Sequence, residues 1–117
     1  MEITRIYTGE DKESHFEEIE IPLKGADDKD SLSNLIEAKG VLFRKATIGR
    51  HYDWHNAPRR QYVALLSGGQ LEIEVGDGSI RRFGPGDVFL AEDTTGRGHI
   101  SRSIGNKPRT TLFIVLD

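Results

Sequence analysis

The run Gly49-Arg50-His51-Tyr52-Asp53-Trp54-His55-Asn56-Ala57-Pro58-Arg59-Arg60-Gln61-Tyr62-Val63-Ala64-Leu65-Leu66-Ser67-Gly68 decides the fold, together with Gly84-Pro85-Gly86-Asp87-Val88-Phe89-Leu90-Ala91-Glu92 and the following Asp93-Thr94-Thr95-Gly96-Arg97-Gly98-His99. Both runs join short apolar stretches to glycine-rich turns, and a hairpin, Gln70 to Phe83, lies between them. Side chains alternate faces along a strand, so residues i and i+2 point the same way. An extended His51–His55 segment is therefore expected to turn His51, Asp53 and His55 inward with the Ala57 position, and Tyr52 and Trp54 outward.

Strand signals continue on either side. Glu2–Thr8 and His15–Pro22 alternate, and Leu35–Ile48 holds one or two strands broken near Lys39-Gly40. Gln61–Leu66 and Gln70–Val75 flank a Ser67-Gly68-Gly69 turn, and Gly76-Asp77-Gly78 supplies the positive-φ residues of a tight hairpin. The polar stretch Gly25–Ser33 reads as a loop, and Thr111–Leu116 as a strand covered on both faces. No segment has a persuasive helical period. Short strands with glycine-rich turns predict an all-β, double-sheet jelly roll.

The chain has 117 residues, which predicts one domain spanning residues 1–117. A formal charge of −3 and no basic tract argue against nucleic acid or an acidic membrane as partner. The absence of cysteine removes disulfides, thiolate ligands and cysteine nucleophiles together. No apolar stretch approaches the roughly 18 residues of a membrane span, and the opening residues carry no secretory pattern, so a soluble cytoplasmic protein is expected.

The spacing resembles the cupin superfamily. Its first motif runs glycine, five residues, His-x-His, three or four residues, glutamate, six residues, glycine. Here Gly49, His55, Ala57, Gln61 and Gly68 keep every interval, with alanine at the second histidine and glutamine at the glutamate. In the second motif Gly86 opens correctly, Glu92 and Thr94 replace the proline and glycine, His99 arrives two residues late and Ser103 stands at the asparagine. The resemblance implies a cupin-type double-stranded β-helix (a jelly-roll barrel) around a polar pocket, and a homodimer.

On that frame His51, His55, Gln61 and His99 are the expected pocket residues, with His51 supplying the nitrogen that Ala57 lacks. Imidazoles suit a divalent transition metal such as zinc, iron, nickel or manganese. A metal-free pocket, in which His55 and His99 exchange a proton with the substrate, is the second form of the same expectation. His99 lies in a Gly96-Arg97-Gly98 bend that either swings it inward or carries it to solvent. Glu92 or Asp93 offers an acid or base if buried beside an imidazole, or else Asp93 and the threonines cap a turn. Arg59 and Arg60 suit a carboxylate or phosphate, or pair with Glu72 or Glu74. Tyr52, Trp54 and Tyr62 form an aromatic lip, core or interface, and His15 reads as structural. Two functions follow: an enzyme acting on a small polar or carboxylated metabolite, with or without a divalent metal, or a non-catalytic small-molecule binding or sensing module.

Overall fold

The computed structural model describes residues 1–25 and 30–117. Ten strands form: β1 (Glu2–Thr8), β2 (Ser14–Glu20), β3 (Gly40–Ala46), β4 (His51–His55), β5 (Gln61–Ser67), β6 (Gln70–Glu74), β7 (Ile80–Phe83), β8 (Val88–Ala91), β9 (His99–Ile104) and β10 (Arg109–Val115). Among the described residues there is no helix. The strands make a six-stranded sheet in the order β2-β1-β8-β5-β10-β3 and a four-stranded sheet in the order β4-β9-β6-β7. The sheets do not close into a barrel.

Period-two burial explains how they stack. Along β5, Gln61, Val63 and Leu65 are buried while Tyr62 and Ala64 are half-exposed, and along β6 Leu71 and Ile73 are buried. These inner faces meet in one core that adds Ile6, Val75, Phe83 and Phe89 from strands and turns of both sheets. Ile6 and Val75 are wholly buried, each contributing about 1.5–3 kcal/mol relative to an exposed side chain. All neighbouring strands run antiparallel except β1 and β8, whose parallel pairing aligns Ile6 with Ala91. The Glu92 N–H then donates to the Ile6 carbonyl at 2.7 Å, which ties down the start of the 92–98 loop.

Within 35–48 only Gly40–Ala46 is a strand, because it alone pairs with β10; Leu35, 91% exposed, has no strand beside it. Within the expected 25–33 loop, Lys24 and Leu32 exchange backbone hydrogen bonds at 2.7 and 2.8 Å, and residues 26–29 lie outside the described residues. The C-terminal run does form an interior strand, β10, between β5 and β3, but beyond Thr111 it is half-buried rather than covered on both faces.

Candidate functional site

A cavity of about 560 Å³ lies between the sheets, with walls that include β3 and β4, one edge strand of each sheet. Its apolar floor comes from inward residues of β5, β6, β8 and β10, among them Val63, Ile73, Phe89 and Phe113. Its polar wall comes from β3, β4, β9 and the start of β10.

On β4 the simple alternation fails. Tyr52 pairs with Ser101 and His55 with His99, so three steps on β4 match two on β9. The extra residue is a β-bulge, which inverts the facing of everything before it. Tyr52 and His55 therefore both line the cavity, whereas His51, exposed and paired with Arg102, does not. This corrects the expectation that His51, Asp53 and His55 share the inward face. Of the four expected pocket residues the structure brings together His55, Gln61 and His99 and leaves His51 outside. The expected aromatic lip also divides: Tyr52 lines the cavity, while Trp54 packs under the Arg97 guanidinium, 3.7 Å from its ring centroid, and Tyr62 lies off the wall.

Two glycines bring His99 inward. At Gly98, φ is 81° and an added Cβ would collide with the His55 carbonyl, so only glycine lets the bend press against the end of β4. Ser14 Oγ donates to the Gly98 carbonyl at 2.7 Å, and Asn56 Nδ2 donates to the carbonyls of Thr95 and Gly96, both at 2.9 Å. His99 is consequently buried, with its ring centroid 4.5 Å from that of His55.

Asp93, completely buried, holds that imidazole at 2.5 Å, Nδ1 to Oδ2. It is thus a partner of His99 rather than a turn cap. Its neighbour Glu92 turns away to Arg60 at 2.8 Å and Arg5 at 3.6 Å. A carboxylate accepts, so His99 Nδ1 is the donor in this pair. The same logic fixes His55, whose Nδ1 donates to the Asp53 carbonyl at 2.7 Å. Burial, foremost, pushes the His55 imidazole below its ordinary value; the neighbouring His99 and Arg44 act the same way, against the Asp53 carbonyl and Asp93. Both imidazoles are thus held through Nδ1, side by side on one wall.

One side of the cavity is cationic. Arg44, Arg59 and Arg109 line it, and no aspartate or glutamate does. Arg109 is 7% exposed and its Nη2 donates to Ser103 Oγ at 3.1 Å. Its Nε has no partner, and neither do two further buried atoms of the cavity wall, Gln61 Oε1 and Thr111 Oγ1. Burial first, then the charge of Arg44, pushes the Arg109 guanidinium below its ordinary value. Tyr52 Oη accepts from Arg44 Nη2 at 2.8 Å and Arg50 Nη2 at 3.0 Å, and the Arg50 bond leads the causes that lower the phenol.

This donor set does not fit a divalent cation. Among the described residues no group of three or more His, Cys, Asp or Glu side chains is arranged to hold a metal. His55, His99 and the Gln61 oxygen supply no negative charge, and three guanidiniums oppose a further cation.

No protein-family model matches this sequence, and no curated protein matches it. A crystal structure of a conserved protein of unknown function from Streptococcus pyogenes is similar at a TM-score of 0.47 and 17% sequence identity, over 81% of this chain and 94% of that one. Among the described residues no helix is long and apolar enough to cross a membrane.

Proposed function

We propose that this chain is a single-domain cupin-type jelly roll that catalyses proton transfer on a small polar or carboxylated metabolite without a metal. The observation that carries this reading is the buried Asp93–His99 pair set against His55 in one cavity. His99 Nε2 takes a proton from a carbon or oxygen of the bound substrate, and the C–H or O–H electron pair stays on the substrate. Asp93 fixes the tautomer and balances the imidazolium that forms. His55, held neutral by burial, is a second proton-accepting nitrogen beside the same substrate. Charge developing on a substrate oxygen faces guanidiniums instead of carboxylates. Returning the proton to a different atom or face completes an isomerisation or epimerisation with no co-reactant.

Incubation of a panel of 2-oxo, 3-oxo and 3-hydroxy acids in D2O, followed by NMR, tests the reading. Deuterium uptake that depends on His99 supports it. Saturable binding with no uptake by any member favours the non-catalytic binding module, for which the same cavity suffices.

The reading includes a cytoplasmic homodimer. Supporting a second copy as partner, β3 is an unpaired sheet edge on which Val41, Leu42 and Phe43 are 55%, 48% and 77% exposed.

A further inference from the structure

The cavity is charged in a way that proton transfer alone does not require. The chain has a net charge of −3, yet the cavity wall holds three arginines and no carboxylate. Outside the cavity Arg5, Arg60, Arg81, Arg82, Arg97 and Arg102 each pair with a glutamate or aspartate, and Arg50 donates to the Tyr52 hydroxyl instead. Among the described residues no acidic side chain lies within 4 Å of Arg44, Arg59 or Arg109. Arg109 is the sharpest case, because a guanidinium so buried is rarely left without a counter-ion.

We infer that Arg109 is the anchor for the carboxylate of the ligand, and that the ligand is a small monocarboxylic acid with an apolar body. This deepens the proposed function, since it assigns a substrate class to the same cavity. Arg109 lines the cavity and its Nη2 donates only to the neutral Ser103 hydroxyl, so its guanidinium keeps donors for a carboxylate, the anion whose shape a guanidinium fork matches. Tyr52, on the cavity wall, already accepts two N–H bonds, which leaves its own O–H to serve as a donor. Arg44, exposed at the cavity wall, and Arg59, half-buried, add positive field along the approach.

Size and polarity select the rest of the molecule. A volume of about 560 Å³ is that of a small-molecule site, and Val63, Ile73, Phe89 and Phe113 favour an aryl or branched alkyl body. Of the three guanidiniums only Arg109 is buried, and one carboxylate neutralises it; Arg44 is exposed and Arg59 half-buried, so the second charge of a phosphate dianion has no buried partner and is disfavoured. With the carboxylate held at Arg109, the Nε2 atoms of His55 and His99 address the remaining polar group.

Calorimetric titration of the full chain with phenylacetate, phenylacetamide and phenyl phosphate tests the assignment. Phenylacetate is expected to saturate, with phenylacetamide and phenyl phosphate at least 10-fold weaker. Arg109→Gln should weaken phenylacetate at least 10-fold and leave phenylacetamide unchanged. Arg109→Met provides the control for folding: it removes an unpaired buried charge, so its melting temperature should equal or exceed the parent's while phenylacetate binding is lost. Equal binding of the acid and the amide, tighter binding of phenyl phosphate, no saturable phenylacetate binding, or full affinity in both Arg109 variants would each overturn the inference. His99→Gln separates the two readings: it should keep phenylacetate affinity while abolishing deuterium uptake. Loss of uptake with binding intact therefore concerns the base, and loss of binding with uptake intact concerns the anchor.

Discussion

Asp93 Oδ2 lies 2.5 Å from His99 Nδ1, and the aspartate is entirely shielded from solvent. The pair is built by backbone as much as by side chain. The Asp93 carbonyl accepts the Ala57 N–H at 3.1 Å, which locks the aspartate to the segment following β4. Substituting Asp93→Asn keeps the shape but removes the charge that balances an imidazolium. Deuterium uptake on an active acid should fall about 10²–10⁴-fold. Nitrogen NMR of the His99 ring should report the Nδ1-protonated tautomer in the parent. Unchanged uptake in the variant would remove Asp93 from the mechanism.

Gly98 sets the distance between the two imidazoles. Any side chain there meets the His55 carbonyl and must also hold a φ of 81°. Gly98→Ala should cost about 1–3 kcal/mol or more in urea denaturation. It should also separate His99 from His55, visible as loss of the mutual ring-current shifts in NMR. A stable variant with those shifts intact would show that the bend is not restricted to glycine.

How much of this the sequence discloses depends on whether a rule is local. Alternation in Gln61-Val63-Leu65 and Leu71-Ile73 identifies inward faces directly, and Gly96-Arg97-Gly98 marks a bend able to bring His99 inward. The same rule misplaces His51, because one bulge residue between Tyr52 and His55 inverts it and nothing in His-Tyr-Asp-Trp-His announces a bulge. Asp93 sits among threonines and so resembles a turn residue; its burial depends on β8 carrying the chain alongside β1. Arg109 and Thr111 are polar residues at inward positions of a strand that turns apolar from Leu112, and it takes the pairing of β10 to show that those positions face the cavity.

His15 has a role separate from the cavity. Its Nε2 lies 2.9 Å from Asp11 and its Nδ1 3.0 Å from Asp77, so it bridges the β1–β2 turn and the β6–β7 turn. The hydrogen bond to Asp11 is the largest influence and raises the imidazole; desolvation opposes it, and the bond to Asp77 with the charges of both aspartates keeps it above its ordinary value. A folded value above the unfolded one, about 6.5, means that its stabilisation is complete below that pH. It is lost as pH rises through the folded value. The gap in melting temperature between the parent and His15→Asn should therefore be largest near pH 5.5 and shrink by about pH 9. A gap independent of pH, or one growing toward alkaline pH, would refute the assignment.

The edge of β3 leads to the last prediction. Residues Gly40–Ala46 pair with β10 on one side only, and Phe43 at their centre is 77% exposed. Long, apolar, unpaired edges recruit another strand, and a second copy of this chain satisfies the requirement by two-fold symmetry. Antiparallel self-pairing centred on Phe43 would set Arg44 opposite Leu42 and Lys45 opposite Val41, so like charges avoid each other. Because Leu42 and Arg44 line the cavity, the partner edge would also shelter its wall. Light scattering at tens of micromolar, a concentration suited to a typical specific interface, should give twice 13.1 kDa. Phe43→Glu should return the chain to a monomer with its circular dichroism unchanged. A monomeric parent, or a variant that remains dimeric, would place the exposed β3 residues outside any self-association surface.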